Sequence, residues 1–264
     1  MRRTVVAAIG LLALAQATEC RAHDLKVLVS RLVAAPGEQD TVYISYGHVL
    51  PVDTPVDADT LDDYSLKTPS GSVVYLKKEG VSLQANEVHV EEEGTYQAVA
   101  TRKPLVFSEV VDKQGNHTHV RGPKSGITEG TVESTTRSLQ FAKALLVSGS
   151  KNNNPLEPLG HVLEIVPADT PTAWKSGQDL TFQVLFGGKP LANADVFATY
   201  IGFKPDKAWC YATSTDPKGA AVVRPSQPGT WVLKVKVQKP APKGKQAEYD
   251  LESYSATLVL EVRP

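Results

Sequence analysis

From Leu25 to Val262 the sequence is cut at short, regular intervals by clusters of Pro, Gly and Ser, and this spacing most restricts its fold. The runs between the cuts are short and rich in Val, Tyr and Thr: Leu25–Val33, Thr41–Tyr46, Tyr64–Lys67, Ser72–Leu76, Glu87–Glu91 and Thr95–Thr101. Turn clusters such as Pro36-Gly37, Pro69-Ser70-Gly71 and Glu92-Glu93-Gly94 separate them. Such runs read as strands, because branched and aromatic side chains suit a pleated, half-buried surface. In Glu87–Glu91 strict alternation turns Val88 and Val90 inward, with Glu87, His89 and Glu91 outward. Ser134–Val147 fits a strand or a short helix. No long amphipathic helix, internal repeat or low-complexity block breaks the pattern, so the chain is expected to be all-β.

A second unit is expected to begin near Ile165–Pro171, where Val166-Pro167 and Thr170-Pro171-Thr172 read as an extended linker, since a residue before Pro avoids the helical region. Beyond it Asp179–Phe186, Ala194–Ile201, Ala220–Arg224, Thr230–Val237 and Ser253–Val262 are again strand-like. Many short strands with turn signals between them are the signature of an immunoglobulin-like sandwich. Lys239–Tyr249 reads as an exposed loop between the last strands. The expected architecture is two tandem β-sandwich (immunoglobulin-like) domains, over residues 23–165 and 166–264.

Residues 1–22 read as a secretory signal peptide. Arg2 and Arg3 supply the positive start, Val5 to Ala15 the apolar stretch, and Cys20-Arg21-Ala22 the small residues before a cut. Glu19 stands where a lipoprotein would need a small residue before Cys20. No stretch reaches membrane-spanning length, so a periplasmic mature chain with no membrane insertion is expected. Cleavage removes Arg2, Arg3, Arg21 and Glu19, taking the formal charge from −1 to −3. A balance so close to neutral argues against a nucleic-acid partner. Cys210 is then the only thiol, and Trp209-Cys210-Tyr211 reads as a strand holding a small buried residue.

No Gly-rich phosphate loop, Gly-x-Ser-x-Gly elbow or His-Glu-x-x-His helix occurs, and the chain is not expected to be an enzyme. The six His carry what chemistry there is. Cleavage after Ala22 makes His23 the first residue, whose α-amine and Nδ1 would close a six-membered chelate on a metal. The alternative is a frayed chain end. His48 follows a strand in Tyr46-Gly47-His48-Val49-Leu50-Pro51, where Gly47 lets the backbone bend. It is a ligand or a hydrogen-bonded loop residue. His117 and His119 stand two apart and share a strand face, as a chelating pair or as solvated rings beside the Gly115-Asn116 turn. His161 repeats the Gly-His step, and His89 drops out on the solvated face. The acidic stretch Asp53, Asp57, Asp59, Asp62 and Asp63 lacks calcium-loop spacing and reads as a solvated loop able at most to lend one carboxylate. Imidazole donors suit Ni²⁺ and Co²⁺, and also Cu²⁺ and Zn²⁺.

The Ala-His-Asp-Leu start, Gly47-His48-Val49-Leu50-Pro51, and Leu159-Gly160-His161-Val162-Leu163-Glu164-Ile165-Val166-Pro167 resemble periplasmic nickel/cobalt-uptake accessory proteins, a family long described as a domain of unknown function. Asp179–Leu185, Gly188–Ala194, Pro228-Gly229-Thr230-Trp231 and Tyr254–Leu258 extend the resemblance along most of the mature chain. The resemblance implies capture of Ni²⁺ or Co²⁺ in the periplasm and delivery to an energy-coupling-factor-type permease. It implies His23 and His48 as ligands, and His161 less directly. Two other readings stay open: a copper mono-oxygenase built on an N-terminal histidine brace, and a structural or carbohydrate-binding pair of sandwiches with incidental His.

Overall fold

The computed structural model describes residues 23–149, 156–203 and 209–264, and the signal-peptide reading over residues 1–22 lies outside them. In chain order the strands begin with β1 (Asp24–Val29), β2 (Val33–Ala34), β3 (Glu38–Gly47), β4 (Val56–Asp57), β5 (Leu61–Lys67), β6 (Val73–Tyr75) and β7 (Val81–Ser82). Then come β8 (Asn86–Val90), β9 (Gly94–Arg102), β10 (Leu105–Val111), β11 (His117–Arg121) and the long β12 (Thr131–Ser148). The second half holds β13 (Leu163–Pro167), β14 (Leu180–Phe186), β15 (Lys189–Pro190), β16 (Asp195–Tyr200), β17 (Tyr211–Ser214), β18 (Ala220–Val223), β19 (Gly229–Pro240) and β20 (Leu251–Val262). Among the described residues the only helical pieces are three single 3-10 turns.

β12 is the spine. One of its edges pairs antiparallel with β10 and then β9, while β20 lies parallel along Thr136–Ala144. β19 and β16 continue the sheet beyond β20, and β5 and β6 continue it beyond β9. A smaller sheet, β1-β3-β8, covers one face, and the sheet of β13, β14, β15 and β18 covers the other. The strand alternation of β12 shows how both faces are filled. Ala142, Ala144 and Leu146 join the first core with Leu25, Val27, Ile44 and Val90, whereas Leu145 and Val147 join the second with Ile165, Phe182, Val184 and Trp231. The chain is therefore all-β, with two β-sandwiches sharing the large middle sheet.

That sharing explains why Ser134–Val147 carries no clean helix or strand period. A strand buried on both faces loses its polar alternation, and length and neighbours decide. Trp174, Trp231, Tyr64, Tyr96 and Phe182 are the largest fully buried side chains, and each apolar side chain of this size contributes about 1.5–3 kcal/mol on burial.

The linker expected around Val166-Pro167 is instead strand. Val166 and Pro167 pair with Gln183 and Phe182 of β14, and Val166 is buried. Among the described residues β13 pairs only with β14, so the missing N–H of Pro167 costs no ladder bond. Val88 and Val90 point inward and His89 outward, as alternation predicts. Cys210 is half-buried just before β17, with its Sγ 3.4 Å from the Ala198 carbonyl.

Candidate metal centre

β1 and β3 run antiparallel with Asp24 opposite Gly47 and Leu25 opposite Tyr46. One step further along this register sets His23 against His48. Their ring centroids are 4.9 Å apart, nearly perpendicular, and the Tyr46 ring stands 5.1 Å from His23. Arg102 lies over the Tyr46 ring, 4.5 Å from its centroid, and its Nη1 donates to the Tyr46 hydroxyl.

His23 is not a frayed end. Gln140 Nε2 donates to its carbonyl at 2.7 Å. The next residue, Asp24, accepts from Lys234 Nζ at 2.6 Å with both side chains largely buried. Thr257 Oγ1 then donates to the Leu25 carbonyl at 2.8 Å. Three bonds thus fix the start of β1 onto the middle sheet.

His48 is aimed by two devices. Gly47 takes φ +127°, a conformation that L side chains rarely adopt. The Asp53 carboxylate folds back across it, and Oδ2 accepts the His48 N–H at 2.6 Å and the Val49 N–H at 3.0 Å. These two bonds hold the Asp53 carboxyl below its usual range, with smaller help from the nearby His23 and His48 rings. Beneath the turn the buried Lys26 ammonium donates to the Gly47 carbonyl at 2.7 Å and the Asp24 carbonyl at 3.1 Å. Burial lowers its pKa to about 8, against the opposing pull of Asp24. Burial also lowers the pKa of His48, and the adjacent His23 adds to this. The imidazole therefore keeps a free lone pair to lower pH than an exposed His would. The two imidazoles offer a pair of nitrogen donors that suits a late first-row divalent ion.

The other expected ligands fall in different places. His119 lines a cavity of about 250 Å³ that His23 and Tyr46 also line. His117 shares its strand face but turns to two carboxylates. Its Nδ1 is 3.2 Å from Glu133 and 3.7 Å from Glu109, and the ligand atoms of the three residues lie within 4.8 Å of one another. A β-bulge assembles this cluster: Glu109 pairs with Ser134 and Val110 with Val132, leaving Glu133 as the extra residue, re-aimed toward the hairpin. His161 lies elsewhere. It packs on Phe141 at 5.3 Å, whereas Gln140, one residue earlier, reaches His23. Neighbours along a strand point to opposite faces, so His23 and His161 are on opposite sides of β12. The centre is built without His161.

Sequence reasoning passed over Tyr46, Arg102 and Gln140, and gave Asp53 only a marginal part. A usable signal lies in β12, whose alternate residues Ser134, Thr136, Ser138 and Gln140 are polar before Ala142, Ala144 and Leu146 turn apolar. The change marks where the covering sheet ends and the cavity opens.

A domain of unknown function (DUF4198) matches residues 20–239, and the chain belongs to that family. No curated protein matches the chain. Among solved structures, the D00-D0 domain of intimin is 12% identical, covering 91% of this chain and 100% of its own, with a TM-score of 0.21. The three N-terminal domains of the bacteriophage RB49 outer capsid protein Hoc are 10% identical over 90% of this chain and 59% of theirs, with a TM-score of 0.21. Escherichia coli alpha-2-macroglobulin activated by porcine elastase is 10% identical over 94% of this chain and 22% of its own, again with a TM-score of 0.21.

Proposed function

We propose that this DUF4198 member is a non-enzymatic carrier that captures a divalent transition-metal ion, Ni²⁺ or Co²⁺, in the periplasm and passes it to a membrane uptake permease. The observation that carries the proposal is the approach of His23 to His48 at 4.9 Å, on a strand start fixed by three independent bonds. Removal of residues 1–22 adds a terminal amine on His23 to the two imidazoles. The ion is then held by neutral nitrogen donors with positions left open toward the cavity, which suits a cargo that must later be released. Nothing in this donor set requires the ion to turn over a substrate.

Calorimetric titration of the chain beginning at His23 with Ni²⁺ is expected to show one tight site. His23→Ala and His48→Ala should each weaken it by about tenfold or more, a loss of roughly 1.4 kcal/mol. Affinity unchanged in both variants would refute the proposal. Copper-dependent peroxide formation by the same protein would favour the copper mono-oxygenase reading instead.

A further inference from the structure

The cavity beside His23 lies on the part of the middle sheet that β1-β3-β8 leaves uncovered. Its floor is rich in hydroxyls, from Ser134, Thr136 and Ser138 of β12 and Ser253 of β20. Leu105 and Phe107 of β10 give it an apolar wall. Its volume is about 250 Å³, roughly eight times the ~30 Å³ that one water takes up in the liquid. That is room for a small organic molecule, more than a single inorganic ion fills.

Its charge is one-sided. Arg102, Lys103 and Lys236 line it against a single acid, Glu109. Glu109 is already engaged, with His117 Nδ1 3.7 Å away and the Ser134 hydroxyl donating to it at 3.4 Å. None of the three cations has a carboxylate partner among the described residues. Arg102 donates to the neutral Tyr46 hydroxyl, which leaves its charge uncompensated. A concave site lined by one sign of charge and backed by apolar walls concentrates ions of the opposite sign. The cavity therefore favours an anion.

The cations also stand on two opposite walls. Arg102 and Lys103 lie where β9 turns into β10, on one edge of β12. Lys236 lies on β19, beyond β20 on the other edge: it pairs with Ser255, and Ser255 with Gln140. From β10 to β19 is three strand spacings, about 14 Å between backbones. Side chains stand roughly perpendicular to a sheet, so this separation carries into the cavity. We propose that the cavity binds a short aliphatic dicarboxylate, with one carboxylate on Arg102 and Lys103 and the other on Lys236. Each end then accepts charge-assisted N–H bonds, while the hydrocarbon body lies against Leu105 and Phe107. No metal takes part, so the inference goes beyond the carrier reading and does not rest on it.

Calorimetric titration of the chain beginning at His23, stripped of metal with EDTA, tests it with succinate, glutarate and adipate as probes. At least one is expected to bind one-to-one, with an affinity that falls as salt is raised. Butyrate, which has a single carboxylate, and inorganic phosphate should each bind about tenfold more weakly or not at all. Lys103→Gln and Lys236→Gln should each weaken the best dicarboxylate by about tenfold. Lys243→Gln, in the exposed loop before β20, should leave it unchanged.

Failure of all three dicarboxylates to bind would overturn the inference. Butyrate or phosphate bound as tightly as the best dicarboxylate would overturn it too, as would an affinity unchanged in either cavity variant. Equal losses in Lys236→Gln and Lys243→Gln would reduce the effect to net charge and remove the site. Because these titrations contain no metal, each of their outcomes is separate from the Ni²⁺ titration that tests the carrier reading.

Discussion

The carboxylate of Asp53 occupies the space that a side chain on residue 47 would need: a Cβ built on Gly47 would stand 2.2 Å from Asp53 Oδ2. That same oxygen holds the backbone N–H groups of His48 and Val49, so the orientation of His48 depends on residue 47 having no side chain. Gly47→Ala must displace Asp53 and strain a φ of +127°. It is expected to destabilise the fold by about 1–3 kcal/mol. Ni²⁺ affinity should fall by about tenfold or more, read by calorimetry under conditions where the variant is folded. Asp53→Asn keeps an acceptor oxygen and should lose much less. Equal Ni²⁺ binding by Gly47→Ala and wild type would show that the turn does not aim His48.

Binding at the His23–His48 pair should also stabilise the fold. At a free Ni²⁺ concentration a hundredfold above the dissociation constant, linkage adds about 2.7 kcal/mol. A chain of this length responds with roughly 2–4 °C per kcal/mol, so a rise of about 5–10 °C in Tm is expected in a thermal scan. His23→Ala, with affinity lowered about tenfold, should cut the rise by about half or more at the same Ni²⁺ concentration. His117→Ala should preserve it, because His117 is paired with Glu109 and Glu133. Loss of the shift in His117→Ala would mean that the hairpin cluster contributes to the same site.

Much of this was legible in residue order, because strand alternation is a local property. Val88 and Val90 against His89 illustrate it, as do the Gly47-His48 bend and the Gly115-Asn116 turn that opens β11. What was not legible is what depends on pairing between distant strands. Nothing local shows that β12 is covered on both faces, or that β20 lies parallel beside it, so the sharing of one sheet by two sandwiches came only from the structure. Val166-Pro167 read as an extended linker because a residue before Pro avoids the helical region, and extended backbone serves equally for an edge strand such as β13. His161 and His48 follow the same Gly-His step, and only the face of β12 that each approaches tells them apart. Gln140 and Arg102 belong to the centre through long-range contacts that no spacing reveals.

Lys143 and Glu164 form an ion pair at 2.7 Å with side chains 3% and 2% exposed, between β12 and β13. Glu164 also accepts the N–H groups of Leu159 at 2.8 Å and Gly160 at 3.1 Å. Removing one partner strands the other charge in the core. Lys143→Met is therefore expected to lower stability by about 3–5 kcal/mol in urea unfolding. Lys143→Met with Glu164→Gln removes both charges and keeps an acceptor oxygen for one of the two N–H groups, so part of the loss should be recovered. If the double variant is no more stable than the single, repacking around residue 143 rather than the stranded carboxylate is responsible.

The same region makes stability sensitive to acid. His161 packs on Phe141, and burial lowers its pKa below the ordinary 6.5. Glu164 and Asp63 pull the other way, and the Lys143 ammonium adds to the lowering. Above about pH 6.5 the ring is neutral in both folded and unfolded chains and contributes no pH dependence. Below that value the unfolded chain takes up a proton that the folded chain refuses, so stability falls with pH until the folded ring titrates as well. His161→Gln removes this contribution. Denaturant unfolding at about pH 7 and about pH 5, on either side of the ordinary imidazole titration, should show a smaller loss on acidification in the variant than in wild type. Parallel losses in the two proteins would mean that the ring is protonated in the folded chain, paired with Glu164 rather than held neutral against Phe141.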